Sequence, residues 1–192
     1  MMRRYSFLPA ALIVLFAPAA AWAHTGIGGG FGFVNGLVHP FLGLDHLLAM
    51  TAVGFWAAQL GGRAKWLVPA AFVGVMAAAG GIAMMGLTLP FIEAGIAASV
   101  FVLGLAITLR FKLTPPLAMA LVGAFAAFHG FAHGAEVPHA ATPILYAAGF
   151  VISTAVLHGI GVGLGLIARN PWAYRLGGAA VAAAGMFFLI VS

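Results

Sequence analysis

The chain has no cysteine, only three carboxylates, and no basic run longer than Arg3-Arg4. Without cysteine there is no disulfide, no thiolate metal site, no cysteine nucleophile and no cysteine-ligated iron–sulfur cluster. Charged residues make up 6% of the 192 positions and hydrophobic ones 64%, whereas a soluble domain is about 25% charged and about 45–50% apolar. So few charges cannot cover a water-facing surface on a chain this small. That composition excludes a soluble enzyme, a disordered protein and a nucleic-acid binder. No Gly-rich phosphate loop is present either, so nothing in the chain points to nucleotide hydrolysis. The formal charge of +5 comes from eight Lys/Arg against three acids. Its scattered distribution reads as membrane orientation, not as a phosphate-binding surface.

What is present falls into a leader and six apolar spans. Residues 1–23 carry Arg3-Arg4, an apolar stretch from Phe7 to Phe16, and Ala21-Trp22-Ala23. That is the order of a secretory signal peptide, predicted to be cleaved after Ala23; the alternative is an uncleaved first helix. Pro9 interrupts the apolar run and Pro18 ends it, which favours the leader. The remaining residues, 24–192, form one predicted domain. A bilayer core needs about 20 apolar residues per helix, and the spans are expected at about 38–60, 66–87, 91–110, 115–134, 143–168 and 172–191. The breaks carry Gly, Pro or charge, as at Gly61-Gly62-Arg63 and Arg169-Asn170-Pro171. With the N-terminus outside, Arg63, Lys65, Arg110, Lys112, Arg169 and Arg175 all fall at inner ends, as the positive-inside rule requires. The expectation is an all-α polytopic protein of a bacterial inner membrane with six transmembrane helices, N-out and C-out. Gly159, Gly161, Gly163 and Gly165, with Gly177, Gly178 and Gly185, form small-residue surfaces on the last two spans. They suit close packing within the bundle or, alternatively, a homo-oligomer contact.

In so apolar a chain the histidines and carboxylates hold the functional information. His39 and Asp45-His46 open the first span. Seven residues put His39 and His46 on one face but about 10 Å apart along an ideal axis, so sharing an ion requires a distortion. Pro40 and Gly43 are placed to supply one. Glu93 opens the third span, where a carboxylate also suits the helix dipole. His129 and His133 are four apart near the end of the fourth span, and Glu136 continues their face if the helix runs that far. Asp45 and His46 inside a hydrophobic span cost about 2.5–3.5 kcal/mol each on insertion scales and mark function. Met50, one turn on from His46, is read as packing. His139 lies in a loop as a surface residue, and His24 is at most an accessory ligand. His158 stands alone, about 22 Å down the fifth span. It either hydrogen-bonds a carbonyl or hydroxyl in a Gly-rich contact, or is an inner stop on an ion path. Imidazole and carboxylate without thiolate suit Ni²⁺, Zn²⁺, Co²⁺ or Cu²⁺, and affinity order does not choose among them.

The blocks His39-Pro40 through Asp45-His46-Leu47-Leu48-Ala49-Met50, Glu93 after Leu89-Pro90, Phe128-His129-Gly130 through His133-Gly134-Ala135-Glu136, and Thr154 through Leu157-His158 resemble the HupE/UreJ family. The resemblance runs from the leader into the fifth span. It implies a membrane accessory protein of NiFe-hydrogenase or urease maturation that imports Ni²⁺, with no tightly bound cofactor. It marks His39, Asp45, His46, Glu93, His129, His133, Glu136 and His158 as metal positions. Expected partners are the divalent ion, the lipid bilayer and cytoplasmic metallochaperones, with no nucleic acid. The larger nickel/cobalt transporters carry a related motif with four residues between His and Asp. Here five separate His39 from Asp45, so their site geometry does not transfer. Two rival readings remain. One is a membrane-embedded zinc hydrolase with a carboxylate base. The other is a metal-binding or delivery protein of the outer face that does not conduct.

Overall fold

The computed structural model describes residues 32–137, 142–168 and 170–192. The predicted leader, His24, His139 and Arg169 lie outside the described residues. Within them the chain is all helical, with seven helices: α1 (Gly32–Leu42), α2 (Leu44–Leu60), α3 (Ala64–Met84), α4 (Ile92–Thr108), α5 (Pro115–Ala135), α6 (Pro143–Ile167) and α7 (Pro171–Val191). Four of them, α3, α5, α6 and α7, are long and apolar enough to cross a membrane. Pro opens α5, α6 and α7 at N1, where its missing N–H has no helical partner to lose.

The predicted first span, 38–60, is not one helix. It is two, α1 and α2, bent by 82° at Gly43. Pro40 removes a backbone donor inside α1, and Gly43 is extended, with φ −97° and ψ 119°. A Cβ on Gly43 would come within 2.8 Å of Asp45 Oδ1 and 3.0 Å of His46 Nδ1, so a larger residue there would displace the side chains that fold back over the corner. The third predicted span is also shorter than expected, since α4 has 17 residues.

The bundle is apolar on its surface as well as in its core, and it buries a small set of polar side chains. Ile152, Val156, Ile160 and Leu164 along α6 are exposed, while Ser99, His129, His133, Ser153, Thr154 and His158 are buried. This is the pattern of a membrane protein, whose apolar surface faces lipid. The core joins Met50, Val53 and Trp56 of α2 with Phe72 of α3, Leu103 of α4, Val122 of α5 and Leu157 of α6. Trp56 Nε1 donates to the Phe111 carbonyl at 3.2 Å and Gln59 Nε2 to the Ile107 carbonyl at 3.0 Å, locking α2 to the end of α4.

Glycine closes the four main helix pairs. An added Cβ at Gly54 or Gly161 would overlap backbone across α2–α6, at Gly130 or Gly134 across α3–α5, at Gly104 or Gly185 across α4–α7, and at Gly36 or Gly149 across α1–α6. Such approaches let van der Waals contact hold helices where lipid supplies no hydrophobic drive. The small-residue surfaces therefore divide. Gly161, Gly165, Gly178 and Gly185 pack within the chain, whereas Gly159 and Gly163 have nothing within 4 Å of an added Cβ and Gly177 meets only the Phe55 ring.

Candidate metal centre

The corner at Gly43 brings the two ends of the first motif together. His39 in α1 and His46 in α2 have ring centroids 6.3 Å apart, closer than the roughly 10 Å of a straight helix. α5 ends beside them. Its last turns put the His133 ring 4.8 Å from that of His39 and 4.5 Å from that of His46. The His129 ring, one turn earlier, lies 5.2 Å from that of His46. The helix persists through Ala135 despite Gly134, with Glu136 as its C-cap. Glu136 Oε2 therefore reaches within 3.7 Å of His39 Nε2 and 3.8 Å of His133 Nδ1. Ligand atoms of His39, His133 and Glu136 all fall within 4.8 Å of one another, the spacing of groups around one ion.

The ring nitrogens are oriented as metal ligands usually are. Asp45 Oδ1 accepts from the His46 backbone N–H and lies 2.8 Å from His46 Nδ1. His129 Nδ1 donates to the Phe125 carbonyl at 3.0 Å, and His158 Nδ1 donates to the Met50 carbonyl at 2.7 Å. A nitrogen that donates to an oxygen carries the proton, so in the neutral ring Nε2 holds the lone pair. In all three residues Nε2 is buried and makes no hydrogen bond, and His133 has no hydrogen bond at either nitrogen. An imidazole tied through Nδ1 with Nε2 left free is the second-shell arrangement of metal-binding histidines. Leaving several such atoms bare in a buried site is otherwise costly.

Aromatic rings wall this cluster. Phe150 lies 4.0 Å from His133 and 6.0 Å from His39, and Tyr146 is 6.0 Å from His39. Phe72 stands between His129, at 5.3 Å, and His158, at 5.1 Å. Sequence reasoning did not single out Phe72, Phe150 or Tyr146; a Phe among sixteen in an apolar helix carries no signal of its own. Met50 contributes its carbonyl, as acceptor for His158.

Of the eight predicted positions, the structure gathers His39, Asp45, His46, His129, His133 and Glu136 into one cluster. His158 lies deeper, across Phe72 from His129. Of the two alternatives for it, the bond to a carbonyl is present, in the close contact where a Cβ on Gly54 would overlap the His158 carbonyl. Glu93 is not brought into the cluster. It is exposed in the first turn of α4 and is not among the three residues whose ligand atoms converge. It does lie toward the same end of the bundle, because Gly95, half a turn on, packs against the Phe128 ring beside His129.

Comparison with known proteins fits this cluster. The HupE / UreJ protein family profile matches residues 11–188, a range that contains every position of the site. Protein HupE from Rhizobium leguminosarum bv. viciae is 44% identical over 190 residues, covering 97% of this chain and 99% of that protein. No solved structure matches the chain. The profile spans most of the chain and the relative nearly all of it, so the chain belongs to the HupE/UreJ family.

Proposed function

We propose that this protein is an inner-membrane permease that imports a divalent transition metal, Ni²⁺ above all, for maturation of a NiFe-hydrogenase or urease. The observation that carries this reading is the convergence of His39, His133 and Glu136 within 4.8 Å, above an Asp45-oriented His46 and a carbonyl-oriented His129. Several imidazoles replace the water shell of the ion, and the carboxylates offset its charge as it dehydrates. Glu93, exposed at the same end, adds negative potential at the mouth. His158 then receives the ion at a deeper station.

The proposed topology is six spans, with the bent α1–α2 pair counted as one and the 17-residue α4 as another. It is supported by charge segregation. Arg63 and Lys65 follow α2, Arg110 and Lys112 separate α4 from α5, and Arg175 lies in the first turns of α7. These positions are at the end of the bundle opposite the histidine cluster, which opens α2 and closes α5. Basic residues inside and the cluster outside give N-out and C-out, and the leader would be removed on export.

The test is Ni²⁺ flux into proteoliposomes holding a nickel-sensitive dye. The permease reading requires saturable, protein-dependent flux. Binding without flux would favour a delivery protein of the outer face. Zinc-dependent cleavage of lipid or amide substrates by the same sample would favour the hydrolase. Against the hydrolase stands His158, since an oriented imidazole beyond Phe72 has no part in chemistry at an outer zinc ion.

A further inference from the structure

α3 and α6 run past one another in opposite directions, yet α3 packs mainly on α5 and touches α6 lightly. Two cavities open on this seam. One, of about 120 Å³, is lined by Gly81, Met84, His133, Tyr146 and Ala147. The other, of about 420 Å³, is lined by Lys65, Trp66, Gly74, His158 and Gly159. Because α3 is continuous from Ala64 to Met84, the first lies toward the histidine-cluster end and the second toward the basic end. Along α3 and α6, Thr154 Oγ1 meets Met76 Sδ at 3.9 Å, both residues being buried.

We propose that the transported ion crosses the protein along the α3–α6 seam, from His133 between Met76 and Thr154 to His158, and leaves through the cavity lined by Gly159 and Lys65. The proposal rests on the permease reading and adds its route. The four main helix pairs are drawn together by glycine-to-backbone contact, which opposes their parting. Among the described residues, the seam has one cavity at the cluster and one toward the other end. A thioether is a weak hydrogen-bond acceptor, so parting Thr154 from Met76 costs less than parting a glycine-closed pair. The side chains along the seam also form a ligand series, imidazole, thioether, hydroxyl and imidazole. None carries a negative charge, and a route must hold its ion loosely enough to release it. The last of them, His158 Nε2, is buried without a hydrogen bond while Nδ1 is held by the Met50 carbonyl. A visiting cation accounts for that bare nitrogen.

The chain has no native cysteine, which permits a direct test. A Cβ meets nothing within 4 Å at Gly159 or at Gly163, and only Gly159 lines the cavity. Gly159→Cys and Gly163→Cys are reconstituted with the nickel-sensitive dye, and a membrane-impermeant anionic methanethiosulfonate is applied from the Lys65 side. The expected result is that modified Gly159→Cys loses Ni²⁺ flux at least tenfold while its Ni²⁺ affinity by calorimetry moves less than twofold. Gly163→Cys conducts alike before and after the reagent. Thr154→Val slows flux about tenfold at unchanged affinity, and Thr154→Ser restores it. If Gly159→Cys is modified and flux persists, the ion passes elsewhere. If that thiol ignores the aqueous reagent but reacts with a lipid-soluble maleimide while flux continues, lipid fills the groove; the route is then wrong and the permease reading survives. If the unmodified native chain binds Ni²⁺ and conducts none, route and permease reading fall together.

Discussion

The α2–α6 pair and the α4–α7 pair are closed by the same device and differ in what they carry. In the first, Gly54 and Gly161 let each backbone touch the other, at the His158 and Thr51 carbonyls. In the second, Gly104 and Gly185 do so at Ala182 and Phe101. α2 bears His46 and α6 bears His158, each with an oriented ring. α4 bears Ser99 and Thr108, whose hydroxyls donate to the Ile96 and Gly104 carbonyls of their own helix, together with the exposed Glu93, and α7 bears no histidine or carboxylate at all. Glycine packing is therefore how this bundle is held in lipid, wherever it occurs. On the proposed reading, function is added on top of it by histidines whose Nε2 atoms make no hydrogen bond. The two pairs should fail differently when broken.

The largest effects are expected at the ligands. His133→Ala removes a nitrogen from the convergent group and should abolish Ni²⁺ accumulation in cells, with membrane abundance near that of the native chain. Asp45→Ala and His129→Ala should do the same. Asp45→Asn is a gentler probe, because it weakens only the group that orients His46. Losses of second-shell partners cost about 10–100-fold in metal affinity, and calorimetry on purified protein should read a loss in that range. Wild-type accumulation in both His133→Ala and Asp45→Ala would move the site elsewhere. In the scaffold pair the signature reverses. Gly104→Leu forces side-chain atoms onto the backbone of α7, and overpacking typically costs about 1–3 kcal/mol. Abundance and melting temperature should drop, while the protein that remains folded keeps its affinity for Ni²⁺.

Gly54→Ala should combine both signatures. Its Cβ overlaps the carbonyl of His158, so α6 must shift away from α2 and carry the imidazole off the Met50 carbonyl. Melting temperature and flux should fall together, while affinity at the outer cluster changes little. Gly177→Ala is the matched control, since its nearest neighbour is the Phe55 ring at 3.7 Å. If Gly54→Ala keeps native flux and stability, the α2–α6 contact does not set the position of His158.

The sequence made the candidate ligands legible and left their assembly hidden. His, Asp and Glu are rare here and costly in lipid, so each stands out by type alone. Spacing even placed His129 and His133 on one face. The helices of the bundle follow from apolar length bounded by Gly, Pro and charge. Pro40 and Gly43 suggested a distortion between His39 and His46, but a bend of 82° depends on α1 finding α6 through Gly36 and Gly149. That is a contact between residues more than a hundred positions apart. Phe72 and Phe150 were illegible for the opposite reason. Their chemistry is that of their neighbours, and only packing distinguishes a ring against a histidine from a ring against lipid. Glu93 shows the limit of residue type. The sequence grouped it with the other carboxylates, and the fold leaves it exposed outside the convergent ligands.

The smallest effect sharpens the comparison without any loss of function. An ion that binds only the folded protein stabilises it by about 2.7 kcal/mol at a concentration 100 times its Kd. Ni²⁺ at that level should raise the melting temperature of the native chain in detergent, and His39→Ala should lose most of the rise. Where the stabilisation appears is the finer question. The ion would tie together α1 through His39, α2 through His46, and the end of α5 through His133 and Glu136. Amide exchange should slow most on either side of Gly43 and in the last turns of α5. The glycine-closed middle of α4 and α7 should exchange as it does without the ion, because no ligand joins them to the site. Equal protection of α4 and α7 would mean that Ni²⁺ tightens the bundle as a whole. The division between a ligand-bearing part and a scaffold part would then hold for the chemistry of the side chains but not for the energetics of the fold.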